Sequence, residues 1–297
     1  MARLRNPGPS WGYRFLLWAD STWPKGFFDF CLKAGNAVAL LCMPSQRRAS
    51  TEYLELALGR KVGFKENLQH FMELSQSLLF KLRIGRDGQL PDFQIDPKYD
   101  ATAFMDLVLS TRAALFGTFH VGHSDLTGCM LGEFGRSVRM VRQRVENDYD
   151  LKMLDKVFGK SVEFVWINEG ESMLFALKNA AEDGASLALQ CDREMHASKH
   201  RNFDFMGAVR RFPVTIYHLS YLLRMPVAFS FGIPVDEQRT QVVCSQVFEP
   251  GEDERKDVLA RGYVHFQEVL NMLEAVLRQH PYVWFNFLPM NTEVRSS

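Results

Sequence analysis

The sequence has no net charge, no cysteine pattern and no visible secretory signal, and each absence disfavours a class of protein. Lys and Arg together number 35, as do Asp and Glu, so no overall positive field favours a nucleic acid as partner. The five cysteines are odd in number and include no Cys-x-x-Cys pair, which disfavours a zinc site and predicts buried free thiols. The opening residues lack an apolar core and a cleavage site, so we expect a cytoplasmic protein.

The 297 residues have an ordinary globular composition, in which two kinds of apolar periodicity follow one another. Residues 26–112 carry apolar side chains at three- and four-residue spacing, which predicts helices. From residue 113 onward, short runs rich in Val, Phe and Leu alternate with helical stretches, and a long amphipathic helix is predicted at 253–279.

This rhythm is typical of a buried sheet covered by helices, and the sequence contains neither an internal repeat nor a flexible linker. We therefore predict a single α/β domain over residues 1–297, built on a mixed, mostly parallel sheet flanked by helices. Its N-terminal part, about 1–112, is expected to be helical, and its α/β core is expected at about 113–297.

An aromatic cluster near the start of the chain predicts contact with a membrane surface. Its members are Trp11, Trp18, Trp23, Phe27, Phe28 and Phe30, followed by the apolar run AVALLCMP. Asp29 and Lys33 interrupt the roughly 20 apolar residues that a spanning helix needs, so an interfacial position is expected. The alternative is that the aromatic rings pack a helical lobe onto the core, and the two interpretations are compatible.

The segment GTFHVGHSDLTG, at 117–128, places two histidines and an aspartate at the predicted junction of a strand and a helix. His120 follows the strand and Asp125 lies in the first turn of the helix. A carboxylate at that distance could hold the imidazole in one tautomer, which is typical of a general base. The alternative is a histidine that is merely satisfied in a turn.

A metal site is the competing interpretation, because the segment is similar to the His-x-His-x-Asp-His signature of metallo-β-lactamase-type hydrolases. Histidines two residues apart at a strand end would point the same way and share one ion. Here the spacing is His-x-x-His-x-Asp, Leu126 replaces the final histidine, and no second His and acid cluster is evident downstream. We predict no metal ligand, and Cys129 is disfavoured as a covalent nucleophile because it lies on an apolar helical stretch.

Three blocks of the sequence resemble the lysophospholipid acyltransferase superfamily. The His-x4-Asp/Glu block is matched by Gly117, His120, Gly122 and Asp125. A strand ending in Asp-Arg and a Phe-x-Gly-Ala-x-x-x-Phe-Pro segment are matched by Asp192, Arg193, Phe205, Gly207, Ala208, Phe212 and Pro213. The tail PYVWFNF, at 281–287, is the third block. The chain looks most like the branch of the late acyltransferases of lipid A biosynthesis and their relatives in aryl polyene pathways.

The resemblance implies a glycerolphosphate acyltransferase-like fold and an acyltransferase activity without a cofactor. A fatty acyl group would move from a thioester of acyl carrier protein or coenzyme A to a hydroxyl or amine of a lipid-like acceptor. His120 would be the general base and Asp125 would orient it, without an acyl-enzyme. A peripheral position on the cytoplasmic face of the inner membrane is expected.

Further residues are predicted to bind substrate: Gly122, His123, Asp192, Arg193, Gly207 and Arg210. Arg193 could clamp a phosphate, or it could pair with Asp192 to brace the loop. A basic rim that includes Lys199 and Arg201 would suit an acidic carrier protein or anionic lipid heads. Relatives usually carry Asn in place of His123, so this residue could assist, bind acceptor or fill the turn. The alternatives are a catalytically silent relative that binds lipid or carrier protein and, less expected, a metal-dependent hydrolase.

Overall fold

The computed structural model describes residues 10–142, 162–166, 173–194 and 199–293. The opening nine residues, on which the prediction of no leader depends, lie outside these ranges. Four helices form the N-terminal part: α1 (Ser10–Thr22), α2 (Lys25–Cys42), α3 (Pro44–Leu58) and α4 (Phe64–Asp87). Pro44 occupies the first turn of α3, where a proline interrupts no hydrogen bond of the helix.

Strands and helices are interspersed in the rest of the chain, as the apolar runs predict. In chain order they are β1 (Asp92–Ile95), α5 (Thr102–Leu109), β2 (Leu115–Thr118), α6 (Thr127–Glu133), β3 (Val138–Arg142), β4 (Val162–Trp166), α7 (Met173–Glu182), β5 (Ser186–Gln190), β6 (His200–Phe205), β7 (Ala208–Pro213), α8 (Thr215–Leu223), β8 (Val227–Pro234), β9 (Arg239–Cys244) and α9 (Arg255–Gln279).

Seven strands form one sheet in the order β1-β9-β8-β2-β5-β3-β4. All neighbouring strands are parallel except β8 and β9, which are antiparallel. Strands β6 and β7 form a separate antiparallel hairpin. The predicted α/β fold class, with its mixed, mostly parallel sheet, flanking helices and helical N-terminal region, is confirmed.

Successive side chains of the central strands enter two different cores, one on each face of the sheet. Leu115 and Phe229 pack with Phe266 of α9 in the larger core. Phe116 and Ala228, one residue away in each strand, pack in the second core with α5 and α6. Strand β2 is completely buried between these layers. This packing fixes the position of the residues that directly follow the strand.

Three features differ from the sequence-based expectations. Strand β1 lies inside the range predicted to be helical, and neither the hairpin β6–β7 nor strand β9 was predicted. The long C-terminal helix is confirmed at Arg255–Gln279. Cys42 is exposed at the C-terminal end of α2 and Cys31 is half-buried on the same helix, so the prediction of buried thiols is wrong for Cys42 and holds only in part for Cys31. Cys129, Cys191 and Cys244 are buried.

The aromatic cluster divides between surface and interior. Trp11, Trp18, Phe27 and Phe30 have more than half of their surface exposed, at 64%, 53%, 53% and 68%, whereas Phe28 is buried against Leu79 of α4. Within the described ranges, no single helix is long and apolar enough to cross a membrane. Helices α2 and α3 pass that test only together, with a bend of 99° between them.

Candidate functional site

The candidate site lies where two parallel strands of the sheet end side by side. Strands β2 and β5 are parallel neighbours, and their last paired residues are Thr118 and Gln190. Beyond this pair, the two segments leave the sheet at the same edge. Two residues further on, His120 follows β2 and Asp192 follows β5. The carboxyl ends of parallel strands are where ligands gather in open α/β sheets. The register therefore brings two of the predicted site residues together.

The Asp192 carboxylate binds His120 through both of its oxygens. Its Oδ1 lies 2.7 Å from the ring Nδ1 of His120, and its Oδ2 accepts from the backbone N–H of His120 at 3.0 Å. Asp192 is completely buried, whereas the His120 side chain is 18% exposed. Burial raises the pKa of Asp192, but the charge and hydrogen bonds of His120, together with Arg193, outweigh it and lower that pKa to about 2.

An ionised carboxylate accepts hydrogen bonds and donates none, so the proton of this contact belongs to Nδ1 of His120. A neutral imidazole with its proton on Nδ1 has its lone pair on Nε2. Asp192 thus fixes the tautomer in which Nε2 can accept a proton. This is the arrangement that a general base requires.

The tail that follows α9 completes the surroundings of this pair. The indole Nε1 of Trp284 donates to Oδ2 of Asp192 at 3.0 Å, and Nδ2 of Asn291 donates to the backbone oxygen of Asp192 at 3.0 Å. The backbone N–H of Phe285 donates to the backbone oxygen of His120 at 2.7 Å. The Asp192 side chain therefore accepts three hydrogen bonds inside the protein.

Asp125 lies in a 3-10 turn, Ser124–Leu126, that leads into α6. Its Oδ2 lies 2.8 Å from Nζ of Lys81, which projects from α4, and the two side chains are 16% and 18% exposed. The hydrogen bond described for the His120 ring is the one that Nδ1 donates to Asp192. That Asp125 orients His120 stays a prediction, and the structure supplies a second carboxylate for this role.

The turn after β2, residues 119–123, packs closely against β8, and the backbone N–H of His123 donates to the oxygen of Gly232 at 2.7 Å. Gly122 has a φ of +48°, and a Cβ there would lie 2.4 Å from the backbone oxygen of Gly232. A Cβ on Gly232 would in turn lie 2.9 Å from the backbone of His123. Only glycine fits at both positions. Close packing of the turn against β8 is therefore enough to explain why a glycine occurs at position 122. Its predicted contact with substrate stays a prediction.

His123 fills the inner side of the turn. It is 3% exposed, it stacks on Phe80 of α4 with ring centroids 4.3 Å apart, and its Nδ1 lies 2.9 Å from Oγ1 of Thr240. Burial, assisted by the nearby Lys81 cation, lowers the pKa of His123 to about 3. The side chain is therefore neutral at physiological pH, which fits a residue that fills the turn.

The other predicted binding residues, Arg193, Gly207 and Arg210, lie between the end of β5 and strand β7. Arg193 follows Asp192 and lines a cavity of about 460 Å³ with residues of the tail. Its Nε is buried without a hydrogen-bond partner among the described residues, and burial, partly offset by Asp192, lowers its pKa. Gly207 lies in the turn between β6 and β7. Arg210 is 5% exposed and donates to the backbone oxygen of Asn291 at 3.2 Å, so it also holds the tail.

A second cavity, of about 560 Å³, lies beside the turn on the side of His123. Its lining combines apolar side chains of the N-terminal helices and the tail with charged side chains at its rim. Among them are Phe28, Leu32, Phe80, Val283, Asp29 and Glu73. A cavity with this lining suits an amphipathic molecule.

The same region bears on two alternative chemistries, a cysteine nucleophile and a metal site. Burial, followed by the charge of Asp125, raises the pKa of the Cys129 thiol well above its ordinary value, so this thiol is a poor nucleophile. Among the residues with described positions, no group of three or more His, Cys, Asp or Glu side chains is arranged to hold a metal ion.

Sequence reasoning missed Trp284, Asn291 and Lys81 as parts of the site. The tail motif was visible as a sequence block, but nothing local links it to His120. Lys81 is one of several charged residues on an amphipathic helix, and only the packing of α4 against the turn distinguishes it.

No family profile and no curated protein matches this chain. A solved structure that is similar to it is the 1-acyl-sn-glycerophosphate (LPA) acyltransferase PlsC from Thermotoga maritima, with a TM-score of 0.38 and 11% identical residues. The match covers 85% of this chain and 98% of that chain.

Proposed function

We propose that this protein is an acyltransferase that moves a fatty acyl group from an acyl thioester to a hydroxyl or amine of a lipid-like acceptor. The observation that carries the proposal is the hydrogen bond between His120 and the buried Asp192 at the end of two parallel strands. It lies within the sequence blocks that resemble the lysophospholipid acyltransferase superfamily. The thioester belongs to acyl carrier protein or coenzyme A.

The reaction needs one base and no covalent intermediate on the protein. Nε2 of His120 accepts the proton of the acceptor's hydroxyl or amine as that group attacks the thioester carbonyl carbon. The new ester or amide bond forms and the carbon–sulfur bond breaks. The leaving thiolate takes the proton back from the imidazolium, and free thiol is released. Asp192 keeps the ring in the required tautomer and stabilises the imidazolium.

We assign binding regions for the acyl donor and the acceptor from the charge and polarity of the side chains present. Arg193 stands next to Asp192 and would hold a phosphate of donor or acceptor. The 560 Å³ cavity, with its apolar interior and charged rim, would take part of the lipid-like acceptor. A donor from acyl carrier protein would meet the basic side chains of the hairpin, Arg201 and Arg211, which are exposed.

The exposed aromatic side chains of α1 and α2 support a peripheral position on a membrane, where an apolar acceptor resides. Trp and Phe favour the boundary between headgroups and acyl chains. A protein that acylates a lipid and uses a soluble thioester would work on the cytoplasmic face of the inner membrane. This placement belongs to the same proposal.

The proposal is tested by release of free thiol. Purified protein is mixed with a panel of acyl carrier protein and coenzyme A thioesters and a membrane-lipid extract, and thiol is followed with a colorimetric reagent. We expect release that depends on the extract and is lost in His120→Ala. His218→Ala is the matched control, because His218 lies on α8 and contacts Arg255 instead of the site.

Thiol release by His120→Ala at the wild-type rate would show that His120 is not the base. Absence of release by the wild type across the whole panel would overturn the acyltransferase proposal. In that case a catalytically silent protein that binds lipid or carrier protein would be the better description, and binding of the same thioesters would be measured directly.

A further inference from the structure

The tail after α9 runs antiparallel to the turn after β2, and the two backbones are connected by hydrogen bonds. Trp284 forms a bridge with Val121, and the N–H of Gly122 donates to the oxygen of Val283 at 2.7 Å. The N–H of Phe285 donates to the oxygen of His120, also at 2.7 Å. These bonds place the Trp284 side chain at a fixed position relative to His120.

The indole of Trp284 faces Asp192 from within the protein. The residue is 1% exposed, and an indole has one hydrogen-bond donor and no acceptor, so the direction of its bond to Oδ2 of Asp192 is fixed. The other oxygen, Oδ1, is the one that binds Nδ1 of His120. The indole and the imidazole therefore hold opposite ends of one carboxylate.

Trp284 is itself held by the N-terminal helices. Its ring packs edge-on against Tyr53 of α3, with centroids 4.9 Å apart, and its backbone oxygen lies 2.9 Å from Nε2 of His70 on α4. A carbonyl oxygen only accepts, so Nε2 of His70 carries a proton, and Nδ1 of His70 faces Oγ of Ser50 at 2.9 Å. The indole thus has few ways to move.

We propose that Trp284 is a positioning residue of the reaction, which acts on His120 through Asp192. The inference rests on the proposed function. Its N–H fixes the rotation of the Asp192 carboxylate, so that Oδ1 stays on Nδ1 of His120 and the lone pair of Nε2 faces the substrate. Without the indole donor, one of the three hydrogen bonds to the carboxylate is lost and the remaining two both come from His120 itself.

The test measures the reactivity of Nε2 without using any substrate of the enzyme. Diethyl pyrocarbonate acylates an unprotonated imidazole nitrogen, and fragment mass spectrometry separates labelled His120 from the buried His123 in the same peptide. The labelling rate is measured in the full chain for wild type, Trp284→Phe, Asp192→Asn and the double variant. Phe205→Leu is the matched control, because Phe205 packs against the same indole at 5.8 Å but gives no hydrogen bond to Asp192.

We expect Trp284→Phe to slow the labelling of His120 by about tenfold, as for the loss of one hydrogen bond to a charged group. Phe205→Leu should label at the wild-type rate, even though it lowers the melting temperature. In the Asp192→Asn background, Trp284→Phe should cause no further loss, because a residue that acts through Asp192 has nothing left to act on.

Equal slowing by Trp284→Phe and Phe205→Leu would show that Trp284 serves packing alone and would overturn the inference. A multiplicative effect in the double variant would also overturn it. The proposed function is judged separately by thiol release. Expected labelling without any thioester turnover would retain the positioning role and reject acyl transfer, whereas turnover with unchanged labelling would do the reverse.

Discussion

Replacement of Asp192 by Asn removes the charge that holds His120 while it preserves the shape of the side chain. The carboxylate accepts from three donors: Nδ1 of His120 and, on Oδ2, the backbone N–H of His120 and the indole of Trp284. An amide has only one oxygen. With that oxygen toward Nδ1, its NH₂ group faces two other donors in a buried site. With the amide reversed, its NH₂ donates to Nδ1, which forces the proton onto Nε2 and removes the base.

The first orientation is disfavoured because donors face donors, and the second removes the base, so most molecules of the variant lack an unprotonated Nε2. General-base assistance typically contributes roughly 10²- to 10⁴-fold in rate, so we expect kcat for thiol release to fall by about this factor with little change in KM. The assay is thiol release with the best thioester found in the panel, at a pH near 7. Circular dichroism and thermal melting confirm that the variant is folded before its rate is compared.

Asp125→Asn is the informative comparison, because the spacing of the motif alone predicts that Asp125 orients His120. The structure places the Asp125 carboxylate on Lys81, so we expect a smaller loss of kcat and a lower melting temperature, as the Lys81 cation loses its carboxylate partner. A nearly wild-type rate for Asp192→Asn together with a very low rate for Asp125→Asn would refute the reasoning and give the role to Asp125.

Three further predictions concern stability, nucleophile and membrane contact. Burial lowers the pKa of His70 to about 4 from an ordinary 6.5, so the unfolded state binds more protons between these values and stability falls as pH drops through that window. The loss is about 3 kcal/mol over the whole window and about 2 kcal/mol between pH 7 and pH 5, so urea unfolding of His70→Gln at these two pH values should show a weaker pH dependence than wild type; an unchanged dependence contradicts it. Cys129→Ala should retain thiol release, since its buried thiol is not ionised, and abolished release would restore a covalent mechanism. Replacement of Trp11 and Trp18 by Ala should reduce co-sedimentation with anionic phospholipid vesicles, whereas Phe175→Ala, which removes an equally exposed ring from α7, should not; equal sedimentation of all three proteins rejects the interfacial role.

The order of helices and strands could be predicted where apolar periodicity is strong. Strands β2 and β8 are buried almost throughout and β5 begins with buried residues, so all three fall within the short apolar runs that follow residue 113. Strand β1 was missed because it has only four residues, half of them exposed, at the edge of the sheet. The hairpin β6–β7 was missed because its polar residues hide the alternation that a strand usually shows.

The site was predictable only as far as local spacing reaches. His120 stands out because it follows a buried strand within a recognisable motif. The contact between His120 and Asp192 depends on β2 and β5 being neighbours in the sheet, and a single sequence does not reveal the order of strands. Trp284 and Lys81 reach the site from elements far away in the chain, so their roles depend on tertiary packing.

The position of Trp284 also has a consequence for folding kinetics. It touches residues from α3, α4 and the segment just after β5, so the carboxylate of Asp192 is fully held only after segments widely separated in the chain have met. Contacts between distant segments close slowly, because the entropy of long loops must be lost before the contacts form. Helices and individual strand pairs can therefore form well before the contact between Asp192 and His120 is complete. During refolding, recovery of His120 reactivity should follow the slowest step of assembly, after most of the circular dichroism signal has returned.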